Sequence, residues 1–264
     1  MRGLVSSKPS RREHSVQSVR NNDGIDLAYD YLPGAHPVVV FCPGFASDMG
    51  GTKAVMLRDD CAARGQAMLR LDYAGHGASG GAFEDGTIGG WVRDAVTIIR
   101  HAVNDADVIL VGSSMGGWIA LLIALQWGTR VVGLIGIAAA PDFTEDLIRP
   151  VLTPAQRQDI ALHGLFHAPS EYGPPTPITA RLLDEACAHL LLRGSIALRC
   201  PIRLIHGQRD PDVPWQTALR LAAQLDSEDV SIILLKDGDH RLSREADLLL
   251  IRTVLGELIV QNRR

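Results

Sequence analysis

Several apolar runs in this sequence show no alternation with polar residues, and helix-like segments separate them. The runs are 38–42, 108–111, 131–140, 202–205 and 232–235, with a more polar candidate at 68–73. Strands that are apolar on both faces are typical of parallel sheets buried between helices. The helix-like segments are 53–64, 87–103, 115–127, 214–225 and 242–261. This alternation predicts a doubly wound, mostly parallel α/β sheet.

Two stretches fall outside the alternation. Residues 1–13 are basic, and we interpret them as a flexible tail. Two short strand candidates come next, and the sequence Asn-Asp-Gly at 22–24 predicts a tight turn between them. Between 141 and 199 no strand candidate occurs, and prolines divide the chain into short helical pieces, of which 182–192 is the best. An insertion between two core strands at the ligand end of a sheet commonly covers the site. We therefore expect an α/β core over 14–140 and 200–264 and a helical cap over 141–199.

Composition excludes several classes of protein. The chain has 264 residues, 46% of them apolar and 21% charged, which is typical of a globular protein and not of a disordered or coiled-coil chain. Its net charge of −4 argues against nucleic acid as a partner, because phosphate binding needs a basic surface. No apolar run approaches the ~18 residues of a membrane span. The four cysteines form no C-x-x-C pair, so the common zinc-site patterns are missing from the sequence.

The sequence at residues 112–116 carries a catalytic pattern. It reads Gly-Ser-Ser-Met-Gly and lies between an apolar run and a helix-like segment. A Gly-x-Ser-x-Gly pattern in that context makes a sharp turn that exposes the serine hydroxyl, and its glycines let strand and helix approach closely. Ser114 is therefore the candidate nucleophile, whereas Ser113 has Val111 and Met115 at the two glycine positions.

A serine hydroxyl needs a base near neutral pH, and in this context the chain order is serine, acid, histidine. His240 is the last of the nine histidines and follows the run 232–235, where a strand end would present it. Asp210 and Asp212 both follow the preceding apolar run. Asp210 is favoured as the acid that orients the histidine, because it lies in the turn after the strand. Asp212 stays open as an alternative acid, or as a cap of the helix expected near Pro214.

Acyl transfer also needs N–H donors aimed at the tetrahedral oxyanion. Met115 follows the candidate nucleophile, and Phe45 follows Gly44 in the loop after the first core run, so their amides are the expected oxyanion hole. A Gly-x-Gly-x-x-Gly match at 75–80 does not predict a dinucleotide site, because further glycines follow it where a helix would have to begin. The predicted chemistry uses no metal and no organic cofactor.

These motifs resemble the α/β-hydrolase family. The sequence at 72–79, Asp-Tyr-x-Gly-x-Gly-x-Ser, resembles the loop that its esterases carry before the nucleophile. More narrowly, the chain is similar to the mitochondrial S-depalmitoylases, a subfamily that includes an acyl-glucuronide esterase. The segments that carry this likeness are 43–45, 51–54, 111–118, 134–136, 200–204, 213–215 and 239–241. The resemblance implies an α/β-hydrolase fold, a nucleophile, acid and base at Ser114, Asp210 and His240, and hydrolysis of acyl thioesters on cysteine or of activated acyl esters.

The leading hypothesis is a serine hydrolase of acyl esters or thioesters, acting on a small molecule or on an S-acylated protein. The side chains that we expect to line an apolar acyl pocket, besides Phe45 and Met115, are Phe143, Leu165, Phe166 and Trp215. A non-hydrolytic ligand receptor on the same fold and an acyltransferase stay open as alternatives. The first residues lack the apolar core of a secretory signal, so we expect a cytoplasmic protein, or a mitochondrial one if the organism is a eukaryote.

Overall fold

A central sheet organises the molecule. The computed structural model describes residues 16–169 and 175–262, so the predicted tail over 1–13 lies outside the described residues. The strands are β1 Gln17–Arg20, β2 Asp26–Leu32, β3 Ala35–Cys42, β4 Gln66–Leu71, β5 Val108–Ser113, β6 Val131–Ile137, β7 Leu165–Ala168, β8 Thr176–Thr179, β9 Ile202–Gly207 and β10 Val230–Leu235. Eight of them form one sheet in the order β1-β2-β4-β3-β5-β6-β9-β10. β2 is antiparallel to both of its neighbours, and each neighbouring pair from β4 to β10 is parallel. The predicted mostly parallel sheet is confirmed.

Helices cover both faces of this sheet. The α-helices of the described chain are α1 Thr52–Ala63, α2 Ile88–Val103, α3 Met115–Trp127, α4 Pro154–His163, α5 Ala180–Ala186, α6 Gln216–Gln224 and α7 Glu245–Gln261. Successive side chains of a strand point to opposite faces, and on β3 Val38 and Val40 pack with α2 and α3, whereas Val39 and Phe41 pack with α1 and α7. The apolar runs show no alternation because both faces of each strand are buried. Among the described residues, no helix combines the length and the apolar character that crossing a bilayer requires.

Local chemistry sets the ends of several elements. Gly24 has φ +78° in the turn that joins β1 to β2, as the Asn-Asp-Gly signal predicts. β6 ends at Ile137, earlier than the apolar run suggests, because Ala138 adopts φ +45° and leaves the strand conformation. β4 begins at Gln66, two residues before the predicted start, where the Gln66 side chain donates to the carbonyl of Ala35.

The interval 141–199 differs from the prediction in one respect. Besides α4, α5 and short helical turns it contains β7 and β8, an antiparallel pair that is separate from the main sheet. The prediction that this interval holds no strand was wrong, because both strands have only four residues and β8 contains Pro177, which is typical of edge strands. The helix predicted over 182–192 is α5, which begins at Ala180 and passes into a short 3-10 turn, Cys187–His189.

Candidate active site

The turn between β5 and α3 presents Ser114. Its backbone has φ +54° and ψ −121°, and its amide donates to the carbonyl of Ile137 at 2.9 Å. A side chain at Gly112 would place its Cβ 2.3 Å from the carbonyl oxygen of Gly116. A side chain at Gly116 would lie 2.0 Å from the carbonyl oxygen of Cys42. Both glycines are therefore required for the close approach of strand and helix that holds Ser114 in this turn.

A continuous hydrogen-bonded series joins the three residues that the sequence predicts. Ser114 Oγ lies 3.1 Å from His240 Nε2, and His240 Nδ1 lies 2.8 Å from Asp210 Oδ2. Asp210 follows β9 and His240 follows β10, and the two strands are parallel neighbours. Carboxyl ends of parallel strands meet at one edge of a sheet, where α/β folds place their ligand sites. In this arrangement His240 can accept a proton from the serine, and Asp210 can orient the imidazole.

The carboxylate of Asp210 is fully buried and saturated with donors. Its Oδ1 accepts from the amides of Asp212 at 2.9 Å and Val213 at 2.8 Å. Burial alone would raise the pKa of Asp210, but the hydrogen bonds that His206 and His240 donate, and the attraction of the His240 ring once it is protonated, hold that pKa well below its usual range. The acid is therefore ionised at neutral pH, as an orienting carboxylate must be.

Asp212 lies in a different environment. Its side chain is exposed, and α6 begins only at Gln216 with Trp215 before it, so Asp212 does not cap that helix. Ligand atoms of Asp210, Asp212 and His240 lie within 4.8 Å of one another, a spacing that could hold a metal ion. Asp210 and His240 already bond to each other, and this bond accounts for their closeness without an ion.

The expected oxyanion donors lie beside the serine. A Cβ at Gly44 would be 3.4 Å from Ser114 Cβ, so the backbone that leads into Phe45 runs directly against the candidate nucleophile. Met115 is the first residue of α3, where an amide has no intrahelical acceptor. Within the described chain, the Phe45 amide has no backbone acceptor either. An oxyanion hole formed by the amides of Phe45 and Met115 stays a prediction.

A cavity of about 260 Å³ adjoins Ser114 and His240. Its lining residues include Phe45, Ser47, Asp48, Thr52, Lys53, Arg241 and Ser243. Lys53 donates from Nζ to the backbone carbonyl of Arg241. Burial, together with the charge of Arg241, lowers the pKa of Lys53 to about 8, although Asp239 and Asp247 act in the opposite direction. Part of the cavity wall is therefore polar and cationic.

The structure places the other predicted pocket residues outside that lining. Phe143 packs its ring against Phe45 at 5.8 Å between centroids, and Phe166 lies in a small apolar cluster that also contacts Phe45. Leu165 is half-buried on β7, and Trp215 is half-buried before α6. Phe143 and Phe166 thus support Phe45 from the side of the predicted cap. An acyl pocket built from these four residues stays a prediction.

Two residues of this neighbourhood escaped sequence reasoning. The sequence analysis gives His206 no role, yet its Nε2 lies 3.1 Å from Asp210 Oδ2. Lys53 enters the sequence argument only as part of the helix-like segment 53–64 and of the likeness at 51–54, yet it lines the cavity beside Ser114. No local signal marks the first, because His206 lies on β9 and Asp210 on the loop after it, where a spacing of four residues does not imply contact as it does on a helix. No local signal marks Lys53, because its partner Arg241 lies 188 residues further along the chain.

Known proteins match this chain over most of its length. The family model described as serine aminopeptidase, S33, matches residues 33–166. The mitochondrial palmitoyl-protein thioesterase ABHD10 of Mus musculus is 38% identical over 253 residues, which are 94% of this chain and 84% of that protein. This relative is named as mitochondrial, so it gives no support to the cytoplasmic location expected from the sequence.

Two solved structures share the fold and more than a third of the residues. A putative hydrolase from Agrobacterium vitis S4 superposes with a TM-score of 0.88 at 40% identity and covers 93% of this chain and 98% of its own. Mouse α/β-hydrolase domain-containing protein 10 superposes with a TM-score of 0.85 at 36% identity, and the superposition covers 94% of this chain and 99% of the mouse chain. The chain therefore belongs to the α/β-hydrolase family whose model is described as serine aminopeptidase, S33, and it is a hydrolase.

Proposed function

We propose that this chain hydrolyses acyl thioesters, and more slowly acyl oxygen esters, through an acyl-enzyme on Ser114. The observation that carries the proposal is the hydrogen-bonded series from Asp210 through His240 to Ser114 beside an open cavity. The name of the relative ABHD10, palmitoyl-protein thioesterase, supports S-acylated cysteines as the first substrate class to test.

The first half of the reaction acylates the serine. Ser114 Oγ attacks the acyl carbonyl carbon while His240 Nε2 takes the hydroxyl proton, and the carbonyl electrons move onto oxygen. The amides of Phe45 and Met115 donate to that oxyanion. Asp210 stabilises the imidazolium through Nδ1–H. The tetrahedral intermediate then collapses, the bond to sulfur or oxygen breaks, and His240 returns its proton to the departing group.

The second half releases the acid. Water enters beside His240 and gives it a proton while its oxygen attacks the acyl carbon. The second tetrahedral intermediate expels Ser114 Oγ, which recovers its proton from His240. The products are a carboxylic acid and a thiol or alcohol, and the enzyme returns to its starting state.

The leaving group decides which substrate reacts faster. A thiolate is a much weaker base than an alkoxide and leaves with little help from an acid. An alkoxide needs its proton from His240 at the moment of departure. The same three residues therefore cleave a thioester more readily than the oxygen ester with the same acyl group.

The test is a steady-state comparison of matched thioesters and oxygen esters with wild type, Ser114→Ala and Ser113→Ala. We expect thioester turnover and fluorophosphonate labelling in wild type and Ser113→Ala, and neither in Ser114→Ala. Unchanged turnover in Ser114→Ala would overturn the proposal. Product that forms only when an alcohol or thiol acceptor is added would identify an acyltransferase, and labelling without turnover would favour a ligand receptor.

A further inference from the structure

Two histidines contact one oxygen of Asp210. His240 Nδ1 lies 2.8 Å from Oδ2, and His206 Nε2 lies 3.1 Å from the same atom. His206 Nε2 also lies 3.0 Å from the carbonyl oxygen of Val213. The side chains of His206 and Asp210 are both almost fully buried, with 1% and 0% exposed. Water does not compete for these contacts.

The partners of His206 fix its tautomer. A carbonyl oxygen can only accept, and so can the ionised carboxylate of Asp210. His206 Nε2 must therefore carry the hydrogen and share it between Asp210 Oδ2 and the Val213 carbonyl. His206 Nδ1 is buried and has no hydrogen-bond partner among the described residues, which fits a lone pair at that atom.

The sheet holds His206 at a fixed position. His206 is the residue before the end of β9 and pairs in register with Leu234 of β10. The next residue, Gly207, packs so closely on the loop after β10 that an added Cβ would lie 2.3 Å from the carbonyl oxygen of Gly238. Asp210, in contrast, lies on the loop that follows β9. A bond from a rigid strand to a loop residue restricts the movement of that residue.

We propose that His206 is a positioning residue, which aims Asp210 Oδ2 at His240 by donating from the end of β9 to Asp210 and to the Val213 carbonyl. The proposal rests on the proposed function, in which Asp210 orients the catalytic base. Without His206, two amides would still hold Asp210 Oδ1, but the carboxylate could rotate about its side-chain bonds and move Oδ2 away from His240 Nδ1. His206 acts through Asp210 and does not touch the substrate.

A matched pair of amide variants tests this role. The amide nitrogen of His206→Gln reaches about as far from the backbone as the histidine Nε2, whereas that of His206→Asn is shorter and cannot reach Asp210. We expect His206→Asn to lower kcat about tenfold or more, since it loses a hydrogen bond to a charged group, with KM within about twofold. We expect His206→Gln to restore most of kcat. The control is His163→Gln, a substitution of an exposed histidine on α4, which we expect to leave kcat and KM unchanged.

A spectroscopic readout separates positioning from a loss of folding. The proton between His240 Nδ1 and Asp210 should give a downfield proton resonance in wild type and His206→Gln, and this signal should broaden or disappear in His206→Asn. Should His206→Asn fail to fold, His206→Leu replaces it, because leucine fills the site and has no donor. The inference is overturned if the downfield signal and kcat survive in His206→Asn, or in His206→Leu where that variant replaces it. It is also overturned if His206→Gln is as slow as the variant used. The proposed function fails separately, through an active Ser114→Ala.

Discussion

At the scale of single residues, Asp210 and Asp212 illustrate how burial assigns a role. They are two positions apart, but Asp210 is buried under four donors while the Asp212 side chain is exposed. We expect Asp210→Asn to lower kcat by about ten-thousand-fold, because the amide favours the wrong tautomer of His240. We expect Asp212→Asn to change kcat less than about threefold, since Asp212 hydrogen-bonds to Asp210 through its backbone amide, which the substitution keeps, and its side chain is exposed. Steady-state kinetics on one thioester decide the ranking, and the reverse order would exchange the two roles.

Lys53 gives the site a pH dependence of its own. Its ammonium lines the cavity of Ser114, and its pKa is lowered to about 8, first of all by burial. A positive charge near the reacting carbonyl stabilises the oxyanion, and this help is present below pH 8 and lost as pH rises through that value. We therefore expect the ratio of kcat/KM between wild type and Lys53→Met to exceed one at pH 7 and to fall toward one above pH 8.

A control variant is needed for this kcat/KM ratio, because hydroxide and His240 also affect the pH dependence of kcat/KM in each protein. Lys236 is an exposed lysine after β10, and Lys236→Met should show a ratio near one at every pH. A ratio for Lys53→Met that is flat across the range would contradict a role for the ammonium in catalysis.

At the scale of elements, the turn between β5 and α3 depends on Gly116, which takes no part in the reaction. A methyl group at Gly116 would meet the backbone carbonyl of Cys42 at 2.0 Å, and backbone cannot move aside as a flexible side chain can. We expect Gly116→Ala to lower the free energy of unfolding by about 3 kcal/mol or more. Urea unfolding measures the loss. Gly194→Ala is the control, because an added Cβ there meets open space.

The elements also show what the sequence could predict. The core strands and the helices around them were predictable because both faces of each strand are buried, which leaves long apolar runs in the sequence. Ser114, Asp210 and His240 were predictable because the motif and the chain order constrain their positions. β7 and β8 were not predictable, since four-residue strands that pair only with each other leave no period to detect. The contact of Lys53 with Arg241 depends on tertiary packing between distant segments, which no local pattern encodes.

At the scale of the whole molecule, the buried carboxylate of Asp142 connects the beginning of the interval 141–199 to its end. Asp142 follows β6 at φ +59°, and it accepts from the amides of Leu191 at 2.7 Å and Leu192 at 2.8 Å. Asp142→Ala would leave the buried amide of Leu192 and the half-buried amide of Leu191 without this acceptor, at about 1–3 kcal/mol for the buried one and less for the other. We expect a loss of about 2–4 kcal/mol in urea unfolding for Asp142→Ala and a smaller loss for Asp142→Asn, which keeps one acceptor.

A surface carboxylate supplies the comparison for this variant. Asp184 is an exposed partner of Arg149, and exposed ion pairs contribute little to stability. Asp184→Ala should therefore change the free energy of unfolding by less than about 0.5 kcal/mol. Equal losses in the Asp142 and Asp184 variants would mean that the amides of Leu191 and Leu192 find other partners.

The size and lining of the cavity lead to a prediction about acyl length. About 260 Å³ lies below the roughly 300–1,000 Å³ of ligand pockets in general, and most of the wall is polar. A butyryl group fits this space, whereas a palmitoyl chain exceeds it. Phe143, whose ring packs on Phe45, lies directly behind one wall of the cavity. We expect wild type to have a higher kcat/KM for butyryl than for palmitoyl thioesters of the same thiol, measured below the concentration at which the palmitoyl substrate forms micelles.

Removing the ring of Phe143 should change that preference. Phe143→Ala leaves apolar space beside Phe45, into which a long acyl chain can extend, so the ratio of palmitoyl to butyryl kcat/KM should rise several-fold. Leu162→Ala, on the exposed face of α4, is the control and should leave the ratio unchanged. A wild type that already prefers palmitoyl, with a ratio insensitive to Phe143→Ala, would show that the acyl chain leaves Ser114 by another route and that Phe143 serves packing alone.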